Sequence, residues 1–315
     1  MTRKIILDLD TGIDDALAIA YALGSPELDL IGITATYGNV LVEQSVRNSL
    51  AVLEILGRTD VPVFIGVSHS RTADSFTPAR ISALVHGGNG IGEVEIPDAR
   101  RVAERRSAVD FIIESVHRYG EDLIYIPTGA STNIVAAFEK DPTIMDVMGP
   151  IVMMGGALTV EGNVNRWTEA NISQDPEAAD LLFRSGIEVI MVGLDVTHQT
   201  LLTKAGTSTW RDSGTEAGRF YADMTDYYID FETRAVDIAG CALHDPLAVA
   251  VAVDPSLVTL LPINMRVDLE GPTRGRTIGD LAGLANPVKT VGAAVEVDAE
   301  RFLEEFMTRV GSVLT

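Results

Sequence analysis

Short apolar runs alternate with amphipathic segments from the start of this chain, and that rhythm admits few folds. Lys4 to Leu9 reads as a buried strand, an apolar run with β-branched residues. Asp14 to Leu23 reads as a helix with Asp14 and Asp15 in its first turn, where carboxylates suit the helix dipole. The spacing predicts further strands at Leu28–Tyr37, Val61–Gly66, Leu123–Pro127, Pro150–Met154 and Glu188–Val192. Helices fit Val42–Leu56, Ala108–Tyr119, Ser131–Glu139 and Pro176–Ser185. Strand, helix, strand in repetition implies an α/β fold with a mostly parallel sheet covered on both faces. No repeat, low-complexity tract or linker divides the chain, so one domain over residues 1–315 is expected.

Two stretches break the rhythm. Val67–Ser107 is long and rich in Gly, Ser and Arg, and loops of that length inside compact domains are usually functional or disordered. Thr207–Gly240 reads as helical with a Tyr-rich middle. After Asp254 the pattern becomes more strand-rich, and Ala299–Val313 closes as a helix.

Hydrophobic residues make up 46% of the 315 and charged residues 22%, a globular balance. The net charge of −21 argues against a general nucleic-acid binder, which needs a basic surface for phosphates. Small neutral substrates and metal cations stay open. Cys241 is the only cysteine, which excludes an intrachain disulfide and a multi-cysteine metal site. The apolar run after Arg3 and Lys4 stops at Asp8, too short for a secretory core. No stretch approaches the roughly 18–20 apolar residues of a membrane span, so no membrane partner and a cytoplasmic location are expected.

The most informative segment is Asp8-Leu9-Asp10-Thr11-Gly12-Ile13-Asp14-Asp15, with its carboxylates where a buried strand gives way to a helix. In open parallel sheets, ligands bind at the carboxyl ends of strands. Like charges this close repel, and burying them unpaired is costly, so a cation is needed to hold them together. Oxygen-only ligands favour a hard cation such as calcium or magnesium over zinc. Helix capping by Asp14 and Asp15 is the plain alternative. An EF-hand is excluded by the missing acidic spacing and closing Glu. Asp8-Leu9-Asp10 also looks like the nucleophile motif of haloacid-dehalogenase-type phosphatases, but Gly12 stands where that family has Thr or Val, and Asp14-Asp15 has no role there.

Downstream, His244-Asp245-Pro246 opens a helix, with Asp245 suited to capping and His244 able to exchange a proton near neutral pH. Between these lie Thr128-Gly129 to Asn133, Gly155-Gly156-Ala157, Gly162-Asn163, Glu169-Ala170-Asn171 and Asp175-Pro176, most of them after strands. Asn and Glu side chains without basic neighbours suit hydroxyl recognition better than phosphate recognition.

Asp8 to Ala16 resembles the N-terminal signature of the inosine–uridine preferring nucleoside hydrolases, usually Asp-Thr-Asp-Pro-Gly-Ile-Asp-Asp-Ala. The likeness continues through Gly38-Asn39-Val40, His86-Gly87, Thr128-Gly129, Thr132-Asn133, Met154 to Ala157, Gly162-Asn163, Glu169-Ala170-Asn171, Asp175 to Ala179 and His244-Asp245-Pro246, in the family's order over nearly the whole chain. The resemblance implies one α/β domain with a Rossmann-like sheet, a tightly bound calcium ion and a homodimer or homotetramer. It implies that calcium is held by Asp10, Asp15, Asp245 and the main-chain carbonyl of Thr128, with a metal-bound water as nucleophile and Asp10 as its general base. It places Asp14, Asn39, Asn163, Glu169, Asn171 and Asp245 on the ribose of a nucleoside, and His244 near the leaving base as its acid. The hydrolysis would invert the anomeric carbon.

Departures from the family pattern bear on base preference more than on ribosyl hydrolysis. Leu9 and Thr11 replace Thr and Pro, Ala170 stands where Phe is general, and Asn89 stands where Asp is usual after His86-Gly87. His86, Trp167, Tyr227, Tyr228 and Phe231 are candidate base contacts, although aromatics at helical spacing are commonly core. The competing readings are a phosphatase using Asp8-Leu9-Asp10 and a non-catalytic, calcium-dependent nucleoside or sugar binder.

Overall fold

The computed structural model describes residues 2–236 and 239–315. Strands β1 (Arg3–Leu9), β2 (Leu28–Ala35), β3 (Val63–Ile65), β4 (Leu123–Pro127), β5 (Ile151–Met154) and β6 (Val189–Val192) follow one another along the chain. A short antiparallel pair comes next, β7 (Leu201–Leu202) with β8 (Cys241–Ala242). Then come β9 (Val258–Ile263), the antiparallel pair β10 (Met265–Val267) and β11 (Thr277–Gly279), and β12 (Val291–Val297).

The main sheet runs β3-β2-β1-β4-β5-β6-β12-β9, parallel except for the β12–β9 pairing. Its first six strands keep the order of doubly wound, Rossmann-like sheets, which reverses between β1 and β4. The buried runs explain why both faces are covered. Ile5, Leu7 and Leu9 of β1 join one apolar core while Ile6 joins the other, and β4, β5 and β6 divide their side chains the same way.

Helices α1 (Ile13–Leu23), α2 (Val42–Ile55), α3 (Arg80–His86), α4 (Ala108–Tyr119) and α5 (Thr132–Lys140) come from the first half of the chain. After β5 come α6 (Ala170–Gln174) and α7 (Pro176–Phe183); after β6, α8 (Leu194–Thr197), α9 (Lys204–Asp212) and α10 (Glu216–Val236). The chain ends with α11 (His244–Val253) and α12 (Ala299–Leu314). Among the described residues no helix is long and apolar enough to cross a membrane. Residues Leu247–Ala252 of α11 are buried all round, so this helix lies inside the molecule, packed on α1.

Two sequence expectations change. The Val67–Ser107 stretch is not wholly loop, because α3 forms within it and docks on α10, where the Tyr227 hydroxyl donates to the Leu84 carbonyl at 3.3 Å. Thr207–Gly240 is two helices rather than one. Gly214 takes φ +74° at the break, and the Thr215 hydroxyl accepts the Gly218 N–H at 2.9 Å to start α10. The far end of that expectation, residues 237–238, lies outside the described residues.

Asp8 is buried in the middle of this frame. Its Oδ1 accepts the Thr34 hydroxyl at 2.6 Å and Asn133 Nδ2 at 2.7 Å, tying β1 to β2 and α5, while Oδ2 has no partner. Burial pushes its carboxyl up to about 6. A folded-state value above the unfolded one means that stability is lost as pH rises toward the folded value. Replacing Asp8 by Asn removes that titration. Denaturation of both proteins should show wild type losing about 2 kcal/mol relative to Asp8→Asn between about pH 4.5 and about pH 8. A pH-independent difference between the two would show that Asp8 is not a buried titrating group.

Candidate active site

The loops leaving the carboxyl edge of β1, β2, β4 and β5 are joined by their own polar side chains. Asp10, just past β1, is buried; the Asn39 main-chain N–H donates to its Oδ2 at 2.6 Å and Asn39 Nδ2 to its Oδ1 at 3.2 Å. Gly38 is required for this approach, because a Cβ there would overlap the Asp10 carboxylate. Asp15 sits in the first turn of α1. Its Oδ2 accepts the Gly12 N–H at 2.7 Å and its Oδ1 accepts the Thr128 hydroxyl, after β4, at 2.8 Å. The Thr128 carbonyl in turn accepts Asn171 Nδ2 at 2.8 Å.

Asp14, Asp15 and Asp245 each offer an oxygen within 4.8 Å of the others. Asp14 joins this trio where the family resemblance implies Asp10, and Asp10 lies beside it with the charges of Asp15 and Asp14 acting on its carboxyl. Burial pushes Asp14 and Asp15 up to about 6. Asp10 and Asp245 are held well above the ordinary carboxylate range, first by burial and then by the neighbouring carboxylates. Asp14 Oδ1 is buried without a hydrogen-bond partner. Buried, mutually repelling oxygen donors with an orphaned atom are the donor set of a hard divalent cation, so the residues present fit a metal.

Glu169 caps α6. Its Oε2 accepts the N–H groups of Gly156 at 2.9 Å and Ile172 at 3.0 Å, and its Oε1 accepts the Asn171 N–H at 2.8 Å. Burial raises its carboxyl and the charge of Asp14 adds to the effect, so Glu169 shares the field of the carboxylate group. Asn163 is exposed, with its Oδ1 on the Ala170 N–H at 2.9 Å, so it steadies the approach to α6 and is not brought to the carboxylates.

A second wall is built of rings. His86 Nδ1 accepts the Ile13 N–H at 3.2 Å, which puts the proton on Nε2 of a neutral ring; burial pushes its pKa down to about 4. Nδ1 also lies 3.8 Å from Asp14 Oδ1, and a ring nitrogen that accepts a hydrogen bond forms no ion pair there. The Tyr228 ring packs 5.7 Å from the His86 ring. Phe231 is half-buried on α10, and Tyr227 braces α3. Trp167 is 36% exposed beneath the Arg276 guanidinium and is not gathered with these rings. Glu232, one turn beyond Tyr228, is raised by burial and by Asp14, whereas exposed Arg234 folds back to donate to the Asp230 carbonyl at 2.7 Å.

His244 begins α11, next to Asp245 of the carboxylate trio. Its Nδ1 bonds the Thr197 hydroxyl at 2.7 Å, and burial, followed by the nearby His198 and His86 rings, lowers it to about 3. Thr197 and His198 were not singled out from the sequence. They follow a buried strand, β6, just as Asp10 follows β1, and that position was the signal available. Asp8, which a phosphatase would need as an accessible nucleophile, is buried beneath the site and engaged with Thr34 and Asn133.

The model of the family described as inosine-uridine preferring nucleoside hydrolase matches residues 5–304. A probable uridine nucleosidase 2 from Arabidopsis thaliana is 38% identical over 98% of this chain and 97% of its own length. An inosine-uridine preferring nucleoside hydrolase from Crithidia fasciculata is 37% identical over 96% and 95%. Among solved structures, a purine-preferring ribonucleoside hydrolase from Gardnerella vaginalis superposes with a TM-score of 0.98 at 66% identity, covering 99% of each chain. With a carboxylate group able to hold a metal at the switch point of its sheet, this chain belongs to the inosine-uridine preferring nucleoside hydrolase family and is an enzyme of the nucleoside N-ribohydrolase class.

Proposed function

We propose that the enzyme is a calcium-dependent hydrolase of the N-glycosidic bond of ribonucleosides, purine ribonucleosides foremost, with residues 1–315 acting as one domain. The observation that carries the reading is the burial of Asp10, Asp14, Asp15 and Asp245 together with, among the described residues, no Lys or Arg bonded to them. The purine-preferring structure at 66% identity supports the substrate class.

Cleavage of this bond passes through a ribosyl centre with cationic character, and a carboxylate-lined pocket stabilises it. Asp10, Asp15, Asp245 and the Thr128 carbonyl would hold calcium, with Asp14 adjoining. When bound, calcium lowers the pKa of water and fixes hydroxyl oxygens.

Asp10 takes the proton from the attacking water. Its burial among like charges strengthens it as a base, and two donors from Asn39 fix its orientation. Asp14, Asn39, Glu169, Asn171 and Asp245 bind the ribose, while Asn163 supports them indirectly by steadying the approach to α6. His86, Tyr228 and Phe231 bound the base, Tyr227 braces α3 beside them, and Trp167 takes no part. The bonding electron pair leaves with the base, His244 Nε2–H donates a hydrogen bond to it, and the base takes up a proton from solvent while Asp10 releases to solvent the proton it took from water. Water adds to the opposite face, inverting the anomeric carbon.

Asp10→Asn should lower kcat by about 10²–10⁴-fold while equilibrium binding of a ribose-like ligand survives. Near-normal turnover would remove Asp10 from the role of base. For the metal, calcium at about 100-fold over its Kd should stabilise chelator-stripped protein by about 2.7 kcal/mol. The rise in Tm should be larger at about pH 8 than at about pH 5, because protons compete for the Asp14 and Asp15 carboxyls. An unchanged Tm after verified metal removal and calcium return would count against the site.

A further inference from the structure

We propose that Thr197 is a positioning residue whose hydroxyl holds the His244 ring in one orientation and one tautomer, leaving Nε2–H as the group presented to the departing base. The proposal rests on the assignment of His244 to the leaving base made above. Thr197 is fully buried, and His244 Nδ1, at 2.7 Å, is the one partner of its hydroxyl among the described residues. With Nδ1 as its one partner, the buried hydroxyl is satisfied by donating, and we take Thr197 as donor and Nδ1 as acceptor. The ring proton of a neutral imidazole then sits on Nε2. The opposite tautomer would face a hydroxyl able only to accept and would leave Nε2 without a hydrogen to offer.

The surroundings make this arrangement rigid. The main chain before His244 is tied to the segment after Thr197: the Leu243 N–H donates to the Thr200 carbonyl at 2.9 Å, and Leu201 and Leu202 pair with Ala242 and Cys241. The His198 ring closes another side of His244, edge-on with 5.7 Å between centroids.

Helix α8 itself is anchored. The Leu194 N–H donates to the Gly156 carbonyl at 2.9 Å, and the Asp195 carboxylate accepts the N–H groups of Leu158 at 2.9 Å and Thr159 at 2.6 Å. Gly156 also donates to Glu169, so one short helix connects the support of the ribose side with the support of His244. The loop after β5 and the segment at His244 each carry a sequence motif, and the α8 link between them belongs to neither.

Thr197→Val keeps the side-chain volume and removes the hydroxyl. It should be assayed with inosine and with 4-nitrophenyl β-D-ribofuranoside, whose nitrophenolate departs as a stable anion. We expect kcat for inosine to fall by about 10–100-fold with KM within about twofold, and the nitrophenyl riboside to change less than about twofold. Thr197→Ser, which restores a hydroxyl, should recover most inosine turnover, and His244→Ala should show the same split as Thr197→Val. Equal losses on both substrates, repeated in Thr197→Ser, would assign Thr197 to packing and overturn the proposal. Wild-type turnover of inosine by Thr197→Val, with the split present in His244→Ala, would also overturn it while leaving the His244 assignment intact. If neither variant shows the split although Asp10→Asn is inactive, the His244 assignment fails and this proposal falls with it.

Discussion

Mutual repulsion among carboxylates packed away from water is the interaction that organises this enzyme. Asp10, Asp14, Asp15 and Asp245 are each at most 7% exposed, and their neighbours supply neutral donors rather than opposing charge: an Asn, a Thr and main-chain N–H groups. Such a group is costly for the protein alone. It becomes favourable only with positive charge in its midst, whether a cation at rest or the ribosyl centre of the transition state. In the proposed reaction, the feature that opposes folding is the one that does the chemistry.

The sheet makes this concentration of charge possible. Its strand order reverses between β1 and β4, so the loops after those strands diverge and leave a crevice. Asp10, Asp14 and Asp15 enter it from the β1 side and Thr128 from the β4 side. Asp245 arrives from far along the chain on α11, a helix apolar on every side and thus buried against α1. Hydrophobic burial of α11 holds Asp245 against the repulsion it meets there, so the metal site depends on packing as much as on its own oxygens.

Much of this was legible in the sequence because local chemistry and overall fold agree. The apolar run of β1 breaking into Asp8 to Asp15 marked strand, turn and candidate site in a dozen residues, although Asp14 rather than Asp10 groups with Asp15 and the distant Asp245. The sequence did not reveal which carboxylate serves which purpose. Asp8 and Asp10 share a strand face in the alternation, yet Asp8 meets Thr34 and Asn133 beneath the site while Asp10 meets Asn39 in it. Trp167 has the right residue type and sits on a surface loop under Arg276, because tertiary placement of a long loop has no periodicity to read. Thr197 is invisible for the opposite reason: a threonine in an apolar segment has no motif until the fold sets His244 against it.

In the proposed reaction, the two walls of the site divide the work between them. One is anionic and made of oxygen, suited to a sugar that becomes positive. The other holds neutral rings, with His86 and His244 both kept uncharged at physiological pH by burial. An imidazolium in the second wall would pair with the carboxylates and quench the field that the ribosyl cation needs. In that reading a neutral imidazole would still offer one N–H to the base without that loss, provided its tautomer is set from outside. His86 takes its tautomer from the Ile13 main chain and His244 from a threonine hydroxyl, so both rings are oriented without any added charge.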